Sequence, residues 1–262
     1  MQVDSVGFVG GGRIVRIILQ GWSRSGAMPR TVVVSDPEKA VLEALAGHVP
    51  GIETSTDNSL SAAQDLCVLA VHPPLVKDVV SALGSVLHAE RRILVSLAPK
   101  FTTGKLAEWL GGFNRIARMI PNAPSYINQG YNPIAFAEAI NETDRDNVRE
   151  LFAPLGPCPI VDESTLEAYA IVSAMGPTYF WPQFYRLKAL GESFGLSPEA
   201  AMQAVTETVK GSVDMLSSAG LSAADTEDLV PVKPLAEDIE SLCRNMDGKL
   251  TGLMKKLQPQ VP

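Results

Sequence analysis

Along the N-terminal part of the chain, short apolar runs alternate with stretches whose apolar residues recur at helical spacing. The runs are Val6 to Val9, Thr31 to Ser35, Leu66 to Val71, Arg92 to Ala98, Arg115 to Met119 and Pro133 to Ala137. Between them, Pro37 to Ala46, Leu75 to Leu83 and Thr103 to Leu110 carry helical patterns. Continuous apolar strands separated by helices predict a parallel sheet covered on both faces, so roughly the first 160 residues read as one doubly wound α/β domain. From Ser164 onward strand signals vanish. Ser197 is placed as an N-cap, with Pro198 at the first helical position and Gly195 just before them. Leu235, Ile239, Leu242, Met246, Leu250 and Leu257 mark one side of a final helix. The expected division is therefore 1–162, α/β, and 163–262, all helical.

The first strand runs directly into glycines: Val9-Gly10-Gly11-Gly12-Arg13-Ile14. A tight glycine turn between a strand and a helix start is the arrangement that seats a dinucleotide pyrophosphate. Gly10 can take backbone angles barred to other residues, and Gly12 lets a phosphate reach the N–H groups of the helix N-terminus. The third small residue of the usual fingerprint would fall at Val15, which predicts a wider helix crossing or a shifted helix.

Composition narrows the classes. The 262 residues are 46% hydrophobic and 19% charged, as expected of an ordinary globular protein, and the net charge of −7 argues against a general affinity for nucleic acid. No apolar run approaches the roughly 20 residues that span a bilayer, and the start of the chain lacks a basic region before an apolar stretch, so a cytoplasmic protein is expected. Cys67, Cys158 and Cys243 are widely spaced and odd in number, which fits reduced thiols; the histidines show no ligand spacing, and no metal is expected.

In an open parallel sheet, ligands bind beyond the carboxyl ends of the strands. Asp36 ends the second run, 24 residues after Gly12, where a carboxylate can bond an adenosine ribose and repel a 2′-phosphate, favouring NAD; it can equally cap the helix expected from Pro37. His72, before Pro73 and Pro74, is a contact for cofactor, a proton donor or a structural turn residue. Lys100 reads as a surface cation or as a contact for phosphate or a substrate carboxylate. Asn122, flanked by Pro121 and Pro124, is a rigidly aimed amide suited to a nicotinamide or substrate, or a turn residue bonded to its own backbone. Ser173 to Tyr179 opens a long helix, where its hydroxyls either hold a carboxylate or simply cap.

In this order, the segments V-G-F-V-G-G-G-R, D-L-C-V-L-A-V-H-P, I-L-V-S-L-A, R-M-I-P-N-A-P-S, A-M-G-P-T-Y and T-V-K-G-S resemble the pyrroline-5-carboxylate reductase family, over about residues 5 to 220. The resemblance implies a Rossmann domain followed by a helical domain that makes a homodimer and borders the substrate. It implies hydride transfer from NADPH or NADH to a small cyclic imine, as in proline biosynthesis. Gly10, Gly11, Gly12, Arg13 and Ile14 would hold pyrophosphate, Val71, His72 and Pro73 would line the cofactor, Asn122 would lie near the nicotinamide, and Ser173 and Thr178 would border the substrate. Family members usually have Asn at Arg13, Lys at His72 and Ser-Gly-Ser at 173–175, where this chain has Ser173, Ala174 and Met175. A Ser-Pro-Gly-Gly-Thr-Thr substrate loop is replaced by Val230 to Leu235, which has neither glycine nor hydroxyl. Pro182 is expected to kink or break its helix. These departures leave two alternatives: a reductase of another imine or a ketone, with His72 or Tyr179 giving the proton, and a non-catalytic dinucleotide sensor or scaffold.

Overall fold

In a computed structural model, which describes residues 3–89 and 92–258, the apolar runs pair into one sheet. Its strands are β1 (Ser5–Val9), β2 (Thr31–Ser35), β3 (Glu53–Ser55), β4 (Leu66–Leu69), β5 (Ile93–Ser96), β6 (Ile116–Met119) and β7 (Ile134–Phe136), in the order β3-β2-β1-β4-β5-β6-β7. Helices α1 (Arg13–Ser25), α2 (Lys39–His48), α3 (Asn58–Ala62), α4 (Val76–His88), α5 (Thr103–Trp109) and α6 (Glu142–Phe152) connect or follow them. Strand alternation sorts the core into two layers. Val6, Phe8, Val34, Val68 and Val95 face the side covered by α1, α2 and α6, whereas Val9, Cys67, Leu69 and Leu94 face α3, α4 and α5. Trp22 anchors the first layer: its ring packs between Phe8 and Phe152, with centroids 5.8 and 5.6 Å away, and its indole N–H donates to the Leu151 carbonyl.

Three details depart from the sequence reading. β7 lies antiparallel to β6 while every other pair is parallel. The chain between β6 and β7 holds a single short 3₁₀ turn and no crossover helix, so it can only return beside β6 in the opposite sense. β3 was not anticipated, because its Glu-Thr-Ser sequence is polar and it pairs only at the sheet edge, with β2. α2 begins at Lys39 rather than Pro37.

After Asp162 the elements are helical: α7 (Leu166–Tyr169), α8 (Pro177–Ser193), α9 (Pro198–Ser218), α10 (Ala223–Asp228) and α11 (Ala236–Leu257). By contact the described residues form two compact units, 3–175 with 253–258, and 176–252. Ser197 caps α9 by accepting the Ala200 N–H at 3.1 Å, Pro198 follows at the first position, and Gly195 has a φ of 99°, as its place before the cap requires. α8 runs unbroken through Pro182, contrary to the expected break. The proline stands only five residues past the helix start, and the side-chain amide of Gln183 donates to the Tyr179 carbonyl in the turn the ring disturbs.

Candidate active site

The site begins where β1 ends. Gly10 has a φ of 102° and donates its N–H to the Ser35 carbonyl; a Cβ here would stand 2.6 Å from the Ala70 carbonyl oxygen, so only glycine fits. Gly12 is the N-cap of α1, with no side-chain cap, and a Cβ built on it would meet nothing within 4 Å. The amides at the start of a 13-residue helix therefore face open space, with no acidic residue in the first turn. That is a seat for an anionic diester. Arg13 is exposed at this turn and Ile14 packs against the core.

Asp36 acts on this turn directly. One carboxylate oxygen accepts the Gly11 N–H at 2.8 Å and the other accepts the Glu38 N–H at 2.9 Å, so the residue both steadies the glycine turn and leads into α2. A cavity of about 250 Å³ opens beside it, lined by Gly11, Gly12, Arg13, Arg16, Val41 and His48 among others. Beyond β4, Val71 is half-buried and His72 is exposed, its carbonyl accepting the Leu75 N–H across the 3₁₀ turn Pro73–Leu75. Pro73, Pro74, Lys100, Phe101, Lys105 and Trp109 contribute to a second cavity, of about 660 Å³.

Asn122 follows β6 and is buried. Its Oδ1 accepts the Tyr131 N–H at 3.0 Å and its Nδ2 donates to the Ser173 carbonyl at 3.4 Å, so its side chain bridges two segments, while within its own turn only its backbone carbonyl bonds, accepting the Ser125 N–H. Ser173 lies in a π-helical turn, Ala170–Ala174, and its hydroxyl donates to the Tyr169 carbonyl at 2.7 Å. It does not cap α8; the N-cap is Gly176. π turns of this kind recur at functional sites because they displace a side chain from the regular helical position. Thr178 is the second residue of α8 and belongs to the second unit. The Tyr131 and Tyr169 rings, with centroids 6.1 Å apart, flank the bridge.

Beneath these residues lies an ion network the sequence reading missed. Arg118, on β6, is only 1% exposed and pairs with Glu163 and with the buried Glu167. Glu167 also accepts the N–H of Lys100, and Glu163 accepts the N–H and hydroxyl of Thr103. Together they pin the loop after β5 to β6. Lys100 is held there at a φ of 78°, a left-handed conformation unusual for a side chain with a Cβ. The sequence carried a signal: an arginine inside an apolar strand, and two glutamates four residues apart, hence on one helical face. Tyr131 and Tyr169 carried none, since neither stands in a recognisable motif. Cys67 lies in the core, where burial pushes its thiol up to about 12, and Cys158 is likewise raised to about 11; neither is a nucleophile at neutral pH.

The profile of the family described as "NADP oxidoreductase coenzyme F420-dependent" matches residues 5–100. Pyrroline-5-carboxylate reductase of Arabidopsis thaliana is 30% identical over 220 residues, covering 82% of this chain and 78% of the relative. That of Pisum sativum is 28% identical over 224 residues, covering 86% and 81%. Among solved structures, Plasmodium falciparum pyrroline carboxylate reductase with NADP bound superposes with a TM-score of 0.78 at 22% identity, over 97% of this chain and 95% of that one. The Coxiella burnetii pyrroline-5-carboxylate reductase gives 0.71 at 25% identity, over 98% and 95%. With the glycine turn, the bridge at Asn122 and this similarity along most of both chains, the protein belongs to the pyrroline-5-carboxylate reductase family.

Proposed function

We propose that this protein is an NAD(P)H-dependent reductase that delivers hydride to the C=N bond of a small cyclic imine of the pyrroline-5-carboxylate type, acting in the cytoplasm as a homodimer. The observation that carries the reading is the uncapped N-terminus of α1 behind Gly10–Gly12, opening on free space in a chain of this family. Gly10, Gly11, Gly12, Arg13 and Ile14 would hold the pyrophosphate, and Val71, His72 and Pro73 would line the cofactor beyond β4. The dinucleotide supplies hydride when bound. The chain's own part is to orient donor and acceptor, with Asn122 and Ser173 beside the reacting end, and to keep water away. Thr178, at the start of α8, is assigned to the substrate border with Ser173.

For the cofactor the argument favours NADH. Arg13 and Arg16 stand beside the pyrophosphate seat and would be offset by its charge, whereas Asp36, which follows β2 and bonds the Gly11 N–H, would face the ribose and repel a 2′-phosphate. Replacing Asp36 by Ser is expected to improve kcat/KM for NADPH relative to NADH by about tenfold or more, equivalent to about 1.4 kcal/mol. An unchanged ratio would remove Asp36 from cofactor choice.

The homodimer and the division of labour between residues 1–162 and 163–262 belong to the same proposal. Within the second unit a broad apolar surface is uncovered: Phe194, Leu216 and Val232 are 80%, 73% and 76% exposed, and the α11 stripe Ile239, Leu242 and Met246 is exposed as well. So many large apolar groups in one small unit call for a partner surface. The reading is tested by mixing purified protein with pyrroline-5-carboxylate and following NADH and NADPH absorbance in parallel. Oxidation of either supports it; cofactor binding without oxidation defeats it.

A further inference from the structure

Tyr131 and Tyr169 are drawn together by contacts that also build the reacting end of the site. The Tyr131 N–H is fixed by Asn122, the same side chain reaches the Ser173 carbonyl, and the Ser173 hydroxyl is bonded to the Tyr169 carbonyl one turn earlier. Four residues from three segments therefore close on one another just beyond the carboxyl end of β6, on the same edge of the parallel sheet as the glycine turn after β1. The two rings stand 6.1 Å apart and are tilted by 41°, which makes their hydroxyls near neighbours. Tyr131 is 39% exposed, so its side chain is accessible, while its backbone N–H is held by Asn122.

We propose that Tyr131 is the proton donor to the imine nitrogen, recharged through the hydroxyl of Tyr169. This rests on the imine-reductase reading above. When the imine carbon accepts hydride, the π pair of C=N moves to nitrogen, which must gain a proton to become the amine; the nicotinamide is oxidised as the imine is reduced. Tyr131 gives its hydroxyl proton to that nitrogen. The resulting phenolate takes the proton of Tyr169, and Tyr169 is reprotonated from solvent. Desolvation and the neighbouring Tyr169 hydroxyl raise the Tyr131 hydroxyl above the ordinary tyrosine value, keeping it a donor and not a base at neutral pH. The titratable group facing it is Tyr169; Glu167, two residues before, is engaged with Arg118. A donor of this kind matters most for a neutral imine, because an imine already protonated in solution brings its own proton.

The test compares wild type, Tyr131→Phe and Tyr169→Phe with pyrroline-5-carboxylate from about pH 6 to about pH 9, where a lost general acid lowers kcat by roughly 10²-fold. Tyr131→Phe is expected to lose activity mainly at the alkaline end, with kcat falling as the fraction of charged imine falls, and with KM little altered. It should keep near wild-type rates on an N-methyl cyclic iminium, which needs no proton. Tyr169→Phe should show a smaller loss of the same kind. A readout without the dinucleotide accompanies it: the ¹³Cζ resonance of Tyr131, assigned by its loss in Tyr131→Phe, should shift when a saturated cyclic amine is added, and retained cofactor binding checks folding. Profiles parallel to wild type, or an equal loss on the permanent cation, would overturn the donor role while leaving the reductase reading intact. No turnover in the wild-type protein would overturn both.

Discussion

At Arg118 a single guanidinium decides how two strand ends and two glutamates are arranged, since Glu163 and Glu167 each bond a backbone N–H of the loop after β5 while bonding Arg118. Desolvating these charges is tolerable only because each is answered. Removing the cation strands Glu167, which is 1% exposed. Arg118→Leu is therefore expected to cost about 3–5 kcal/mol in chemical denaturation; a loss within the range of an ordinary surface change would contradict the network's structural weight. Lys100 gives the opposite sign. Its left-handed backbone costs a residue with a Cβ about 1–2 kcal/mol, which glycine avoids at some entropic cost. Lys100→Gly should leave stability equal or raise Tm by roughly 2–4 °C, measured by thermal unfolding; a clear drop would mean that the lysine side chain itself is needed.

At the level of elements, the placing of α1 matters most, because its N-terminus makes the proposed anion seat. Val15 is fully buried in the core of the sheet face, and the backbone approach that tolerates no Cβ comes later, at Gly21, where a Cβ would stand 2.4 Å from the Ser125 carbonyl oxygen. The close fit has thus moved from the fingerprint position to the other end of the helix. It is reinforced by Asn128, whose side-chain amide donates to the Gly21 carbonyl at 2.8 Å. Gly21→Ala is expected to destabilise by about 1–3 kcal/mol through overpacking in urea titration, and to weaken dinucleotide binding as the helix tilts. A neutral substitution would show that the segment after β6 can give way.

For the whole molecule, the distribution of apolar surface differs sharply between the two units. The first hides most of its apolar side chains in two layers around the sheet, whereas α8 and α9 contain a single fully buried residue, Ala201, and leave Phe180, Tyr185, Leu216 and many others in the open. Such a surface is costly in water, a cost that the proposed homodimer would relieve. Light scattering at micromolar concentration should report a dimer or a larger even assembly; a monomer would leave the helical unit's exposed face without explanation. Within the described residues no helix is long and apolar enough to cross a membrane.

The sequence by itself determined six of the seven strands, the glycine turn, the cap at Ser197 and the family, because each rests on local patterns: continuous apolar runs, backbone freedom at Gly10, a hydroxyl before Pro198. It also pointed to Asp36 and Asn122 as special, yet left open what they bond. Tertiary structure decided the rest. Asp36 meets Gly11 across 25 residues, Asn122 reaches Ser173 across 51, and Arg118 reaches Glu167 across 49. β7 reverses because no crossover helix precedes it, β3 exists because β2 offers an edge, and Tyr131 and Tyr169 meet because Asn122 and Ser173 are bridged. Contacts between distant segments depend on where the sheet and helices deliver the chain, and no local spacing encodes that.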